Sequence, residues 1–215
     1  MTRSELVITR QSGSTSVVLR GPETRASIAH APENAEFFGI TFQLGVFVPA
    51  LSPTHLVDRH ANLRVTGNSF WLHDLTIPIP KFEDTDLFIE RLIRLGLLRS
   101  EPTVKPLLNN EILETASTTR TLQRRFLQAT GLSHRAVTSI ERARQAVALL
   151  QAGLEIPDVV HSLGFTDQPH LTKTLARLVG RTPARIIHES WLHSPLRARE
   201  LEESEQMLKP ELMPK

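Results

Sequence analysis

The 215-residue chain contains no cysteine, which excludes disulfides, thiolate nucleophiles and cysteine metal sites. It also lacks a long hydrophobic run: nothing approaches the ~18 residues that a membrane span requires. Met1 to Arg10 sets charges among its few apolar residues and has no apolar signal core, so a cytosolic protein without a membrane partner is the expectation. An excess of one charge sign is missing from the whole, where 25 Lys and Arg stand against 23 Asp and Glu. That balance conceals a segregation. Residues 117–187 hold 10 basic against 4 acidic side chains, a net of +6, while residues 1–116 and 188–215 each come to −2. Basic charge gathered on one segment favours a polyanionic partner, of which nucleic acid is the commonest.

What the chain does have is an ordinary apolar share of 40%, enough for one large domain or two small ones. The first half reads as short strands. "ELVITRQSGSTSVVLRGPETRASIAHAP" places β-branched runs around Gly13 and around Gly21-Pro22, both read as hairpin punctuation, and "FFGITFQLGVFVPAL" continues in the same way. A small antiparallel sheet is expected. After Ile77-Pro78-Ile79-Pro80 the period changes: Leu87, Phe88, Leu92 and Leu95 recur at helical spacing, with Asp84 as N-cap and Gly96 as stop. This amphipathic helix suits packing on the sheet, with dimerisation as the lesser alternative.

From Thr118 the sequence reads as helices with sharp turns. Leu122, Phe126 and Ala129 share one face of a helix that Gly131 ends, leaving Arg120, Gln123, Arg124 and Leu127 opposite. Ser133 caps a long helix burying Val137, Ile140, Ala143, Val147 and Leu150, which closes at Gly153. A two-turn helix follows from Ile156, with Pro157 in its first turn, then a turn at Gly164-Phe165 and a helix capped by Asp167. Leu171, Leu175 and Leu178 hold that last helix to a core. Pro169, Thr172, Lys173 and Ala176 face outward, with Gln168 and His170 at its N-terminal end. A short helix, a tight turn and a second helix describe a helix-turn-helix, which lays one helix across a DNA backbone and the next in the major groove.

These elements, "RTLQRRFLQATGLS", "ERARQAVALLQAG" and "GFTDQPHLTKTL…GRTP" in register over Thr118 to Ile187, resemble the AraC/XylS family of bacterial transcription regulators. The resemblance implies two helix-turn-helix units joined by the long helix, with Thr118–Ala129 and Asp167–Leu178 as recognition helices entering successive major grooves roughly 34 Å apart. It implies promoter DNA as partner, RNA polymerase, a small-molecule effector and a second copy of the chain as further partners, and no cofactor. The N-terminal half is similar to the sensor portion of some members. The sequence departs from the family where Asn109-Asn110 interrupts the first scaffold helix, where Leu171 and Leu175 replace aromatics, and where Val160 replaces a small residue.

The fold class expected is therefore α+β. A β-rich sensor or dimerisation domain with one helix covers residues 1–100, an all-α double helix-turn-helix domain covers 101–190, and a flexible tail covers 191–215. The DNA-contacting set is Arg120, Gln123, Arg124, Arg125, Gln168, His170, Thr172, Lys173 and Arg177, with Arg135 added at the flank. Arginine suits guanine O6 and N7, and glutamine suits adenine N6 and N7. Arg125, Arg135 and Arg177 lie where phosphates are met. A solvated helix face is the plainer account of any one of these residues. His55, His60 and His73 with Asp58 and Asp74 match no ligand spacing and read as surface groups, not a metal site. An alkyl-transfer repair enzyme can carry the same paired motif but needs a nucleophilic cysteine, so a non-enzymatic regulator is expected. A module docking an acidic protein through its basic helices is the alternative.

Overall fold

The computed structural model describes residues 2–27, 32–109, 111 and 118–192; the tail expected from residue 191 falls outside them after Leu192. The architecture is α+β, with antiparallel sheets first and helices after. Strand β1 (Glu5–Gln11) turns through Ser12 and Gly13, at φ 50° and 77°, into β2 (Ser14–Arg20). Two successive positive φ values are what a two-residue hairpin of right-handed twist demands, and Gly13 supplies one without strain. Leu6 faces Leu19 and Ile8 faces Val17 across the pair, and all four are buried.

Gly21-Pro22 does not make a second hairpin. The Gly21 N–H donates to the Arg59 carbonyl (3.0 Å), and a Cβ at Gly21 would collide with the Leu56 carbonyl oxygen. Glycine is needed there for close backbone approach rather than for a reversal. Strand β3 (Ala35–Thr41) consequently pairs with β1, and β2 takes β5 (His60–Leu63) on its other side, giving the order β3-β1-β2-β5. Strands β6 (Val65–Thr66), β7 (Ser69–Leu72) and β8 (Leu75–Pro78) form a three-stranded sheet, and β4 (Val46–Phe47) pairs with β9 (Arg99–Ser100). Helix α1 (Thr85–Arg94) buries Phe88 and Leu92, and the Phe88 ring lies 6.3 Å from that of Phe70. Asp84 stands at its N-cap but makes no side-chain cap bond, while Gly96 at φ 70° turns the chain as expected.

The remaining helices are α2 (Val104–Leu108), α3 (Thr119–Thr130), α4 (His134–Gln151), α5 (Ile156–Ser162), α6 (Gln168–Val179) and α7 (Pro183–Leu192). The chain divides into two compact units between Glu141 and Arg142, inside α4. The first contains the sheet core and a second cluster built on Val104, Phe126, Ala129, Leu132 and Val137, against which Leu44, Phe47 and Val57 pack. Residues on both sides of position 100 therefore share one core. The second unit closes around Ala143, Ala146, Leu150, Val159, Leu171, Leu175 and Ile186. Ile140 and Val147, expected inside, are half-buried. Ala146, 0% exposed, takes the inner position instead.

Candidate nucleic-acid interface

Helix α3 is fixed at both ends by local chemistry. The Thr118 hydroxyl accepts from the Thr121 N–H (3.3 Å), and Gly131 at φ 75° ends the helix with its N–H on the Leu127 carbonyl (2.8 Å). Phe126 and Ala129 are buried and Leu122 half-buried, the face expected from spacing. Thr130 is buried too, which periodicity did not suggest: its hydroxyl lies 2.8 Å from the Phe126 carbonyl and accepts from the Leu132 N–H. Arg120, Gln123, Arg124 and Leu127 are exposed together and, with Thr121, line a shallow concavity. Arg125 is exposed on the flank about 100° round from Arg124, and Arg135 is exposed in the first turn of α4.

In the second unit, Gly164 at φ 65° makes the turn between α5 and α6. Asp167 caps α6 by accepting from the His170 N–H (2.6 Å), while Pro169 occupies its first turn at no cost in hydrogen bonding. Leu171 and Leu175 are fully buried, Leu178 half-buried, and Gln168, Pro169, His170, Lys173, Ala176 and Arg177 exposed. Thr172, expected to face outward, is half-buried. It lies within about 20° of half-buried Val179 on the helical wheel, on the flank rather than the crest. The His170 ring is drawn back onto the turn: it meets Phe165 edge-on at 5.4 Å, and its Nδ1 accepts from the Thr166 N–H at 3.4 Å. With Nδ1 accepting, a neutral ring keeps a donor on Nε2. The Arg142 guanidinium lies 5.7 Å from the Phe165 ring centroid, a turn-holding contact without a sequence signal, since it joins residues 23 positions apart.

Electrostatics sorts the basic segment. Arg181 and Arg185 both donate to Glu189 (2.6 and 2.8 Å), which holds that carboxyl below its ordinary pKa, and Arg142 is engaged by Phe165. Among the described residues no ion pair or hydrogen bond engages Arg120, Arg124, Arg125, Arg135, Lys173 or Arg177. An exposed cation without a protein partner keeps its full capacity for an external anion. The histidines and aspartates set aside as a metal site are dispersed in role. Asp58 accepts from Thr24, His73 pairs with exposed Asp74 (2.7 Å), and no group of three or more ligating side chains gathers among the described residues.

No helix among the described residues is long and apolar enough to cross a membrane. Neither a curated protein nor a solved structure matches the chain. Residues 114–188 match the family described as "Helix-turn-helix domain", covering both capped helices and the turns between them. Residues 114–188 are accordingly a helix-turn-helix DNA-binding domain of the AraC type.

Proposed function

We propose that this protein binds a specific site in promoter double-stranded DNA and regulates transcription there, reading bases with one face of α3 and one face of α6. The observation that carries the proposal is the selection of cations. Within residues 118–187, the cations engaged by protein groups lie on α4 and α7 or just before α7, while those left without partners among the described residues lie on α3, α6 and the first turn of α4. Arg120, Gln123 and Arg124 are assigned to base edges, as are Gln168, Lys173 and the Nε2 donor of His170. Arg125, Arg135 and Arg177 are assigned to phosphates, with half-buried Thr172 offering its hydroxyl from the flank. RNA polymerase, a small-molecule effector and a second copy of the chain are further partners in this reading, and the setting is the bacterial cytoplasm.

Selection of bound fragments from a genomic DNA pool tests it, followed by titration at several salt concentrations. The expected result is a non-palindromic site of roughly two helical turns per monomer, with affinity falling steeply in salt and surviving random competitor. Retention of all sequences equally would remove the specific reading. Capture of an acidic protein with no DNA retained would replace it with the docking alternative.

A further inference from the structure

Within the first unit, away from α3, a cavity of about 510 Å³ opens between the segment before β1, the loop leading into β4, the β9–α2 connection, and α4. Its volume falls in the range of small-molecule sites. Leu44, Val46 and Leu108 give it an apolar wall. Two carboxylates line it, and both are already engaged. Glu101 Oε1 accepts from the Thr103 N–H (3.2 Å) and hydroxyl (2.8 Å), and Glu141 Oε1 accepts from the hydroxyl of Thr2, itself only 5% exposed. The two cations of the lining, Arg3 and Lys105, are exposed and have no partner among the described residues. Gln43 adds an amide in the same condition.

We propose that this cavity binds a small organic monocarboxylate with an apolar body, its carboxylate between Arg3 and Lys105 and its hydrocarbon portion on Leu44, Val46 and Leu108. The charge balance sets the class. Two free cations attract an anion, while Glu101 and Glu141 repel a second negative charge, so a monoanion is preferred to a phosphate or a dicarboxylate. The hydrocarbon of Leu44, Val46 and Leu108 favours an organic anion over a bare inorganic ion, which would leave that wall unmatched.

The test uses the full chain, without DNA, so its outcome is independent of whether the helices read a promoter. Linear and branched monocarboxylates from butanoate to octanoate are titrated in chloride buffer, each beside its primary amide, by calorimetry and by thermal melting. The expected result is saturable binding of at least one acid, with a rise in Tm that its amide does not produce. Arg3→Gln and Lys105→Gln should each weaken that binding about tenfold, the loss of one charge-assisted hydrogen bond. Both variants should melt like wild type without acid, since both side chains are exposed. No binding by any acid, equal binding by the amides, or unchanged binding by the double variant would overturn the proposal.

Discussion

On the proposed reading, two adjacent arginines on α3 separate reading from holding. Arg124 stands with Arg120 and Gln123 around the concavity, and Arg125 is turned about 100° to the flank. Arg124→Ala should cost about 1–3 kcal/mol on the specific site and relax preference at one base position, with little effect on random duplex. Arg125→Ala should weaken both kinds of DNA alike and lower the salt slope by about one. Equal losses for the two variants on both duplexes would show that this face does not read sequence. Asp58 offers a residue-scale test of stability. It sits at φ 55°, and its two oxygens accept from the Thr24 N–H (2.7 Å) and hydroxyl (2.6 Å). Partial burial pushes its carboxyl up, but those bonds together with Arg25 outweigh that and hold its pKa below the ordinary value. A depressed folded pKa gives stability that is present above the unfolded pKa and lost as pH falls through the folded one. Asp58→Ala should therefore destabilise the protein by about 1–3 kcal/mol at pH 7. The gap to wild type should narrow below pH ~4, and a gap unchanged by acid would show that the ionised form contributes nothing.

At the scale of elements, caps and stops decide whether α3 and α6, the reading helices of the proposal, are presented. Asp167→Ala should cost about 1 kcal/mol, the usual worth of an N-cap, and reduce specific DNA affinity, as measured by chemical denaturation and by binding. Gly131→Ala should cost more, at least about 2 kcal/mol. The residue is left-handed, and a Cβ would stand 2.6 Å from the Pro53 carbonyl oxygen. If Gly131→Ala melts like wild type, that close approach is not maintained in solution. The helical half was legible because such signals are local: Thr118, Gly131, Gly164 and Asp167 announce themselves within a turn of where they act. Periodicity likewise revealed Phe126, Leu171 and Leu175. The order of the sheet was not legible. Whether Gly21-Pro22 reverses a hairpin or slides under Leu56 depends on a partner 35 positions away. The same holds for Arg142 on Phe165. Thr130 and Ala146 were hidden for another reason, being residues of weak hydropathy that become interior only through their neighbours.

At the scale of the molecule, α3 does not own its core. Phe126, Ala129 and Val137 share it with Leu44, Phe47 and Val57, and α3 also packs on β4 and the turn at Pro53–His55. A fragment of residues 101–190, attractive because it holds every assigned contact, would leave that side of Phe126 in water. The fragment should show a weakened first reading helix, protecting about one turn of DNA where the full chain protects two. Full-length protection by the fragment would show that α2 to α4 fold without the sheet.

The shared core also bears on how such proteins can be recombined. A chimera spliced at residue 100 would set Phe126 against a foreign β4, whereas a splice between Glu141 and Arg142 leaves each hydrophobic cluster with its own residues. On the proposed reading, only the half of the DNA address spelled by α6 can be exchanged freely. The half spelled by α3 is inherited with the sheet, so in a lineage of such regulators the two halves of the binding site would drift at different rates.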